Sequence, residues 1–194
     1  MAHFSTFFIR SPLFLNGNES YFARRLFSAS AKLNFTLHKE LAALTTQHET
    51  GALSAAELYR IITDTPSQQD TDSLEWPDAN VSLDEANQTL IWELHDYGNL
   101  TLTLSRSDNE WIAMTAITAV ESVSNPTELN EVLLRQGLAL PLASVGIVTI
   151  DERDFYVAYG QLFGDSKLAS ICAELHATAS AAMEVAGLIQ EHFS

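Results

Sequence analysis

The apolar residues of this chain change their spacing along its length, and that change limits the folds open to it more than any other feature. From Leu90 to Leu104 they fall on every second position, whereas from Ser166 to Phe193 they recur every third or fourth. A period of two builds strands with one face toward a core, and a period between three and four builds helices with one apolar stripe. Helical segments around a strand-rich middle predict an α+β domain, in which an antiparallel sheet of about five strands packs against helices.

Start and stop signals bound the segments. Thr36 can cap a short helix over Leu37 to Gln47, with Leu37, Leu41 and Leu44 at helical spacing and Gly51 beyond its end. A second helix starts at Ser54, three residues before Glu57 in capping-box spacing; Leu58, Ile61 and Ile62 supply its apolar face and Pro66 stops it. The run from Ser67 to Asp78 (SQQDTDSLEWPD) is polar, acidic and closed by Pro77, which predicts a loop.

In the middle of the chain Leu90, Trp92 and Leu94 alternate with Ile91, Glu93 and His95, the pattern of a half-buried strand. Asp96 to Asn99 (DYGN) supplies a turn. Leu100, Leu102 and Leu104 then alternate with Thr101 and Thr103, as an antiparallel neighbour requires. Ser107 to Glu110 (SDNE) makes the next turn, and Trp111 to Val120 is rich enough in apolar and β-branched residues for a third strand. Together these predict a meander.

Asn125 as N-cap, Pro126 at the first helical position and Glu128 three residues after the cap agree on a further helix start, with Leu129, Val132 and Leu133 on one face and Gly137 as the stop. Two more strands fit Ala143 to Ile150 and Phe155 to Phe163, a hairpin joined by Asp151 to Asp154 (DERD). Leu168, Ile171, Leu175, Ala179, Ala182, Ala186, Ile189 and Phe193 trace one stripe of a long C-terminal helix. Its many alanines, with Gly187, make it slim enough to lie close to a sheet, which favours packing over a ligand site. Leu102 and Leu175 are expected to share one core.

The charges divide as sharply as the periods. Residues 1–39 hold five basic side chains (Arg10, Arg24, Arg25, Lys32, Lys39) and one acid, Glu19, whereas residues 40–194 hold five basic side chains and 24 acids. A segment of net +4 thus precedes a body of net −19, which together give the total of −15. A body that acidic repels phosphate backbones and anionic head groups, so nucleic acid and membrane surfaces are poor partners. No stretch approaches the roughly 18 apolar residues of a membrane span, and no membrane insertion is expected.

Residues 1–34 read as an N-terminal extension outside the core, and residues 35–194 as a single α+β domain. Rich in Phe and Ser and holding three arginines, the extension has the composition of a mitochondrial transit peptide, with Arg24 to Ser28 resembling a processing site; the alternative is a fortuitous extension. The single cysteine, Cys172, excludes an intramolecular disulfide framework and points to a reducing compartment. A cytoplasmic location is expected, with a mitochondrial one as the alternative if residues 1–28 are a transit peptide.

The residues that carry chemistry are scattered. Cys172 and His176 lie four apart on one helix face, but Cys172 falls on the apolar stripe, where a buried structural cysteine beside a boundary histidine is favoured over a thiol–imidazole pair or half a metal site. His95 and Asp96 sit at a strand end, and His3, His38, His48 and His192 show no metal-ligand spacing. Asp70, Asp72, Glu75 and Asp78 form the densest acidic cluster, without the tight alternation and glycine turn of a calcium loop. No nucleophile elbow, phosphate-cradling glycine loop or dinucleotide fingerprint is present. No catalytic residue, metal ligand or cofactor is therefore assigned, and the chain is expected not to be an enzyme; the alternative is a small enzyme whose site assembles from residues distant in sequence.

The order helix, meander, helix, hairpin and long C-terminal helix, in an acidic body, resembles the small chaperones of type III secretion over about residues 53–194. Leu138 to Gly146 (LALPLASVG), Asp154 to Phe163 (DFYVAYGQLF) and the helix opening Ser166, Lys167, Leu168 are similar to the YjfI-like family, bacterial proteins encoded near phage-shock-protein-A homologues. The resemblance implies a non-enzymatic protein-binding module, chaperone-like or regulatory and linked to envelope stress. A phage-shock-protein-A homologue is the expected partner, with a homodimer open as an assembly state. An acidic body steers basic partners. Trp111 and Tyr156, aromatic residues on strands near turns, are the expected partner-binding anchors, with core packing as the other reading of both.

Overall fold

Strands and helices follow one another in the order that the changing period predicts, with one strand more. The computed structural model describes residues 52–64, 74–140 and 142–194. The N-terminal extension, the expected helix over Leu37 to Gln47 and residues 67–73 of the expected loop lie outside the described residues. The described elements are α1 (Ala55–Asp64), β1 (Ala79–Asp84), β2 (Thr89–Leu94), β3 (Leu100–Ser107), β4 (Glu110–Ala119), α2 (Pro126–Gln136), β5 (Ser144–Ile150), β6 (Arg153–Phe163) and α3 (Leu168–His192). The strands form one antiparallel sheet in the order β1-β2-β3-β4-β6-β5.

Local chemistry sets the element ends. At α1 the Ser54 amide donates to the Glu57 carboxylate at 2.8 Å while the Glu57 amide donates to the Ser54 hydroxyl at 3.2 Å, the reciprocal capping box that the spacing predicts. At α2 the Glu128 amide donates to Asn125 Oδ1 at 3.3 Å and Asn125 Nδ2 donates to the Glu128 carboxylate at 2.8 Å. Gly98, at φ +69°, ends the short 3-10 turn His95–Tyr97 in the left-handed conformation that glycine adopts freely. The β5–β6 turn is tighter than expected. Asp151 and Glu152 alone make it, with φ of 51° and 65°, so β6 begins at Arg153 rather than Phe155.

Residues paired across a ladder share a face, so the register sorts the side chains. Leu90, Trp92, Leu102, Leu104, Trp111 and Ala113 lie on one side and form a single buried cluster with Ala55 and Leu58 of α1 and Ile171, Leu175 and Ala179 of α3. Leu102 and Leu175 thus share a core. Burying a leucine fully contributes about 2 kcal/mol, and six leucines of this cluster are fully buried. Ala181 and Ala182 of α3 meet Ala143 and Ala158, the close approach for which a slim helix is suited. On the other side of β4, β5 and β6, Ile112, Met114, Val148, Ile150, Phe155 and Val157 form a second cluster of strand side chains.

Two expectations are corrected. The sheet has six strands rather than about five, because β1 pairs with β2 at the edge. Trp111 and Tyr156 are core residues rather than surface anchors, since the register turns both toward the helices. The Trp111 ring lies beneath the Arg106 guanidinium, whose carbon is 5.6 Å from the ring centroid. Tyr156 packs with Leu129 and Phe193, and its hydroxyl donates to Asn130 Oδ1 on α2 at 2.8 Å.

Candidate functional site

Helix α3 carries Cys172, Glu174, His176 and Thr178 at two-residue intervals, which turns alternate members to opposite sides. Cys172 and His176 meet the segment before β1. His176 Nε2 lies 3.2 Å from the Glu75 carbonyl oxygen, and the Tyr97 hydroxyl lies 3.0 Å from His176 Nδ1. A carbonyl only accepts, so Nε2 carries the proton and Nδ1 accepts from the tyrosine. The Cys172 thiol donates to the same carbonyl at 3.1 Å. Burial, reinforced by the Glu75 carboxylate, pushes the thiol pKa up, opposite to the shift that makes a nucleophile. These residues staple residues 74–77 and the 3-10 turn to α3. His95 stands apart, 3.4 Å from the exposed Asp78 carboxylate.

Glu174 and Thr178 turn toward β6. The Glu174 side chain is only 3 % exposed and lies against Gly160, so close that a Cβ there would overlap its Oε1. Oε1 and the Thr178 hydroxyl are both buried without a hydrogen-bond partner. Burial raises the Glu174 carboxyl to about 7, because a neutral acid is far cheaper to bury than a carboxylate. Sequence reasoning passed over this residue. The available signal was a pair of mismatches: a glycine inside a strand and an acid among the alanines of the long helix.

Among the described residues, four large apolar side chains are exposed elsewhere on the surface. Leu134, Leu142, Ile147 and Phe163 are 84, 70, 46 and 72 % exposed. Leu134 closes α2, Leu142 and Ile147 precede and lie within β5, and Phe163 ends β6. β5 begins opposite Tyr159, so among the described residues no strand pairs with Gly160–Phe163 on that side of β6. Leu142 has φ +63°, a left-handed conformation that costs a side-chain-bearing residue roughly 1 kcal/mol or more. Sequence reasoning marked Leu138 to Gly146 as a family-like run but gave it no role.

Among the described residues, no three His, Cys, Asp or Glu side chains converge on a position for a metal ion, and no helix is long and apolar enough to cross a membrane. The molecule is an α+β protein with an antiparallel sheet and a long alanine-rich helix against it. The chain belongs to a bacterial family described as "uncharacterized protein conserved in bacteria" (DUF2170), whose model matches residues 63–193, from the end of α1 through α3. It is similar to the uncharacterized protein YjfI of Escherichia coli K12 and of Escherichia coli O157:H7. Identity to each is 32 % over 116 residues, 60 % of this chain and 87 % of the relative.

Proposed function

We propose that this protein acts by binding another protein, without catalysing a reaction, at the exposed apolar side chains Leu142, just before β5, and Phe163, at the end of β6. Leu142 carries this reading. A large apolar side chain held exposed in an unfavourable backbone conformation loses stability in the isolated chain, and a partner that covers it recovers the apolar burial. Phe163 is a second exposed apolar side chain, at the end of the part of β6 that β5 leaves unpaired. The residues with chemical potential support the same reading, since Cys172 and His176 are occupied as staples.

The net charge of −15 favours a partner with a basic contact surface, steered at long range. Resemblance to the YjfI-like family makes a phage-shock-protein-A homologue the first candidate, with a regulatory or chaperone-like role in envelope stress; the lone, raised-pKa thiol suits the cytoplasm. Calorimetric titration of the full chain with the purified homologue tests this. Leu142→Asp and Phe163→Asp should each weaken binding at least about tenfold at unchanged melting temperature. Equal affinity for both variants removes this surface from the account, and no binding by the wild type removes the partner.

A further inference from the structure

The two edges of the sheet are unlike. Asp78 precedes β1, Asp84 ends it and Glu85 follows, and charge at a strand edge discourages pairing with another chain. β5, the other edge, reads SVGIVTI over Ser144–Ile150: seven residues with no charge, no proline and no register break against β6. In a body of net −19, an uncharged edge lets a second copy approach without setting acid against acid.

The hairpin fixes what that edge offers. With a two-residue turn at Asp151 and Glu152, Ile150 and Arg153 form the closing hydrogen-bonded pair, and such pairs alternate along the ladder at Val148 with Phe155, Gly146 with Val157 and Ser144 with Tyr159. Val145, Ile147 and Thr149 therefore direct their amides and carbonyls outward, and among the described residues no strand lies beside them. Their side chains share the face of Tyr156 and Ala158, where Ile147 and Thr149 are exposed. Leu134 follows Asn130, the partner of Tyr156, by one turn on the same side of α2.

We infer that β5 is the seam of a homodimer, pairing antiparallel with β5 of a second copy about a two-fold axis through Ile147. In this register Ile147 meets the partner's Ile147 as a hydrogen-bonded pair, Val145 meets the partner's Thr149, and Ser144 meets the partner's Ile150. The two sheets become one of twelve strands, which removes both uncharged edges. Asp151 comes opposite the partner's Ala143, so no acid faces another. The same register brings Leu142 to the end of the seam while Phe163 lies outside it, and the seam stands or falls separately from the proposed binding of another protein.

Sedimentation equilibrium on the full chain, from micromolar to about 100 μM, tests the seam with a charge swap. The wild type should sediment as a dimer. Ile147→Lys and Ile147→Glu, each placing like charges across the axis at an exposed position, should sediment as folded monomers, with dissociation constants at least tenfold higher. An equimolar mixture of the two variants should recover the dimer. A monomeric wild type overturns the inference, as do variants that remain dimeric alone or a mixture that stays monomeric. Phe163→Asp serves as the control and should dimerise normally.

Discussion

The carboxyl group of Glu174 on α3 fills the space that a side chain at position 160 of β6 would occupy. Helix and strand meet there at a distance that only glycine allows, and the contact places an acid without a hydrogen-bond partner for Oε1 inside the interface between the long helix and the sheet. Gly160→Ala should therefore destabilise the fold by about 1–3 kcal/mol, as overpacking does. In a Glu174→Ala background the same substitution should cost much less, with a coupling energy of about 1 kcal/mol or more between the two sites. Urea denaturation of the four proteins measures this, and simple additivity would place the strain elsewhere.

The same contact makes stability depend on pH with a definite sign. The folded carboxyl titrates near 7 and the unfolded one near 4.5, so between those values the folded state holds more protons than the unfolded state. Stability from this group is complete below pH 4.5 and is lost as pH rises through 7, by on the order of 3 kcal/mol. Glu174→Gln keeps the shape without the titration. Subtracting the variant's stability from that of the wild type across pH 4 to 8 should give a difference that falls with pH; a flat or rising difference contradicts this account of Glu174.

Trp111→Ala should cost about 3–5 kcal/mol, because it empties a fully buried site in the main cluster. Tyr156→Phe should cost about 1 kcal/mol, the net value of the hydrogen bond to Asn130. Chemical denaturation tests both, and a loss of under 0.5 kcal/mol for Trp111→Ala, an estimate for surface sites, would show that the tryptophan is not the core residue described.

How much of this was legible depended on whether one residue or a pair decides the feature. The alternation of Leu100, Leu102 and Leu104 placed β3 and its core face, and Asn125, Pro126 and Glu128 placed the start of α2, because each pattern is local and redundant. β1 escaped because an edge strand needs little apolar surface: only Val81 and Leu83 among its six residues are large and apolar. Trp111 and Tyr156 stayed open between partner anchor and core because alternation shows that a strand has two faces without showing which one a helix covers. Glu174 and Leu142 were illegible for another reason. Their significance lies in Gly160, more than ten residues away, and in a backbone angle, neither of which leaves a periodic trace.

Leu142→Gly offers a direct reading of stored strain. Glycine relaxes at φ +63°, so stability should not fall and should rise by up to about 1 kcal/mol, while partner affinity drops with the lost side chain. A clear loss of stability would mean that Leu142 packs within the fold instead of waiting for a partner.

Association with a basic partner should also slow as salt shortens the screening length from about 30 Å at 0.01 M to about 8 Å at 0.15 M, with a smaller effect on dissociation. Stopped-flow mixing separates the two rates, and a salt-independent association rate would remove steering by the acidic body.

Hydrogen exchange on the full chain, alone and saturated with a phage-shock-protein-A homologue, tests the central claim most directly. The account predicts new protection of amides at Leu142 and along Gln161–Phe163, with residues 79–84 at the far edge of the sheet unchanged. Protection confined to residues 79–84, or an exchange pattern identical with and without the partner, would contradict it.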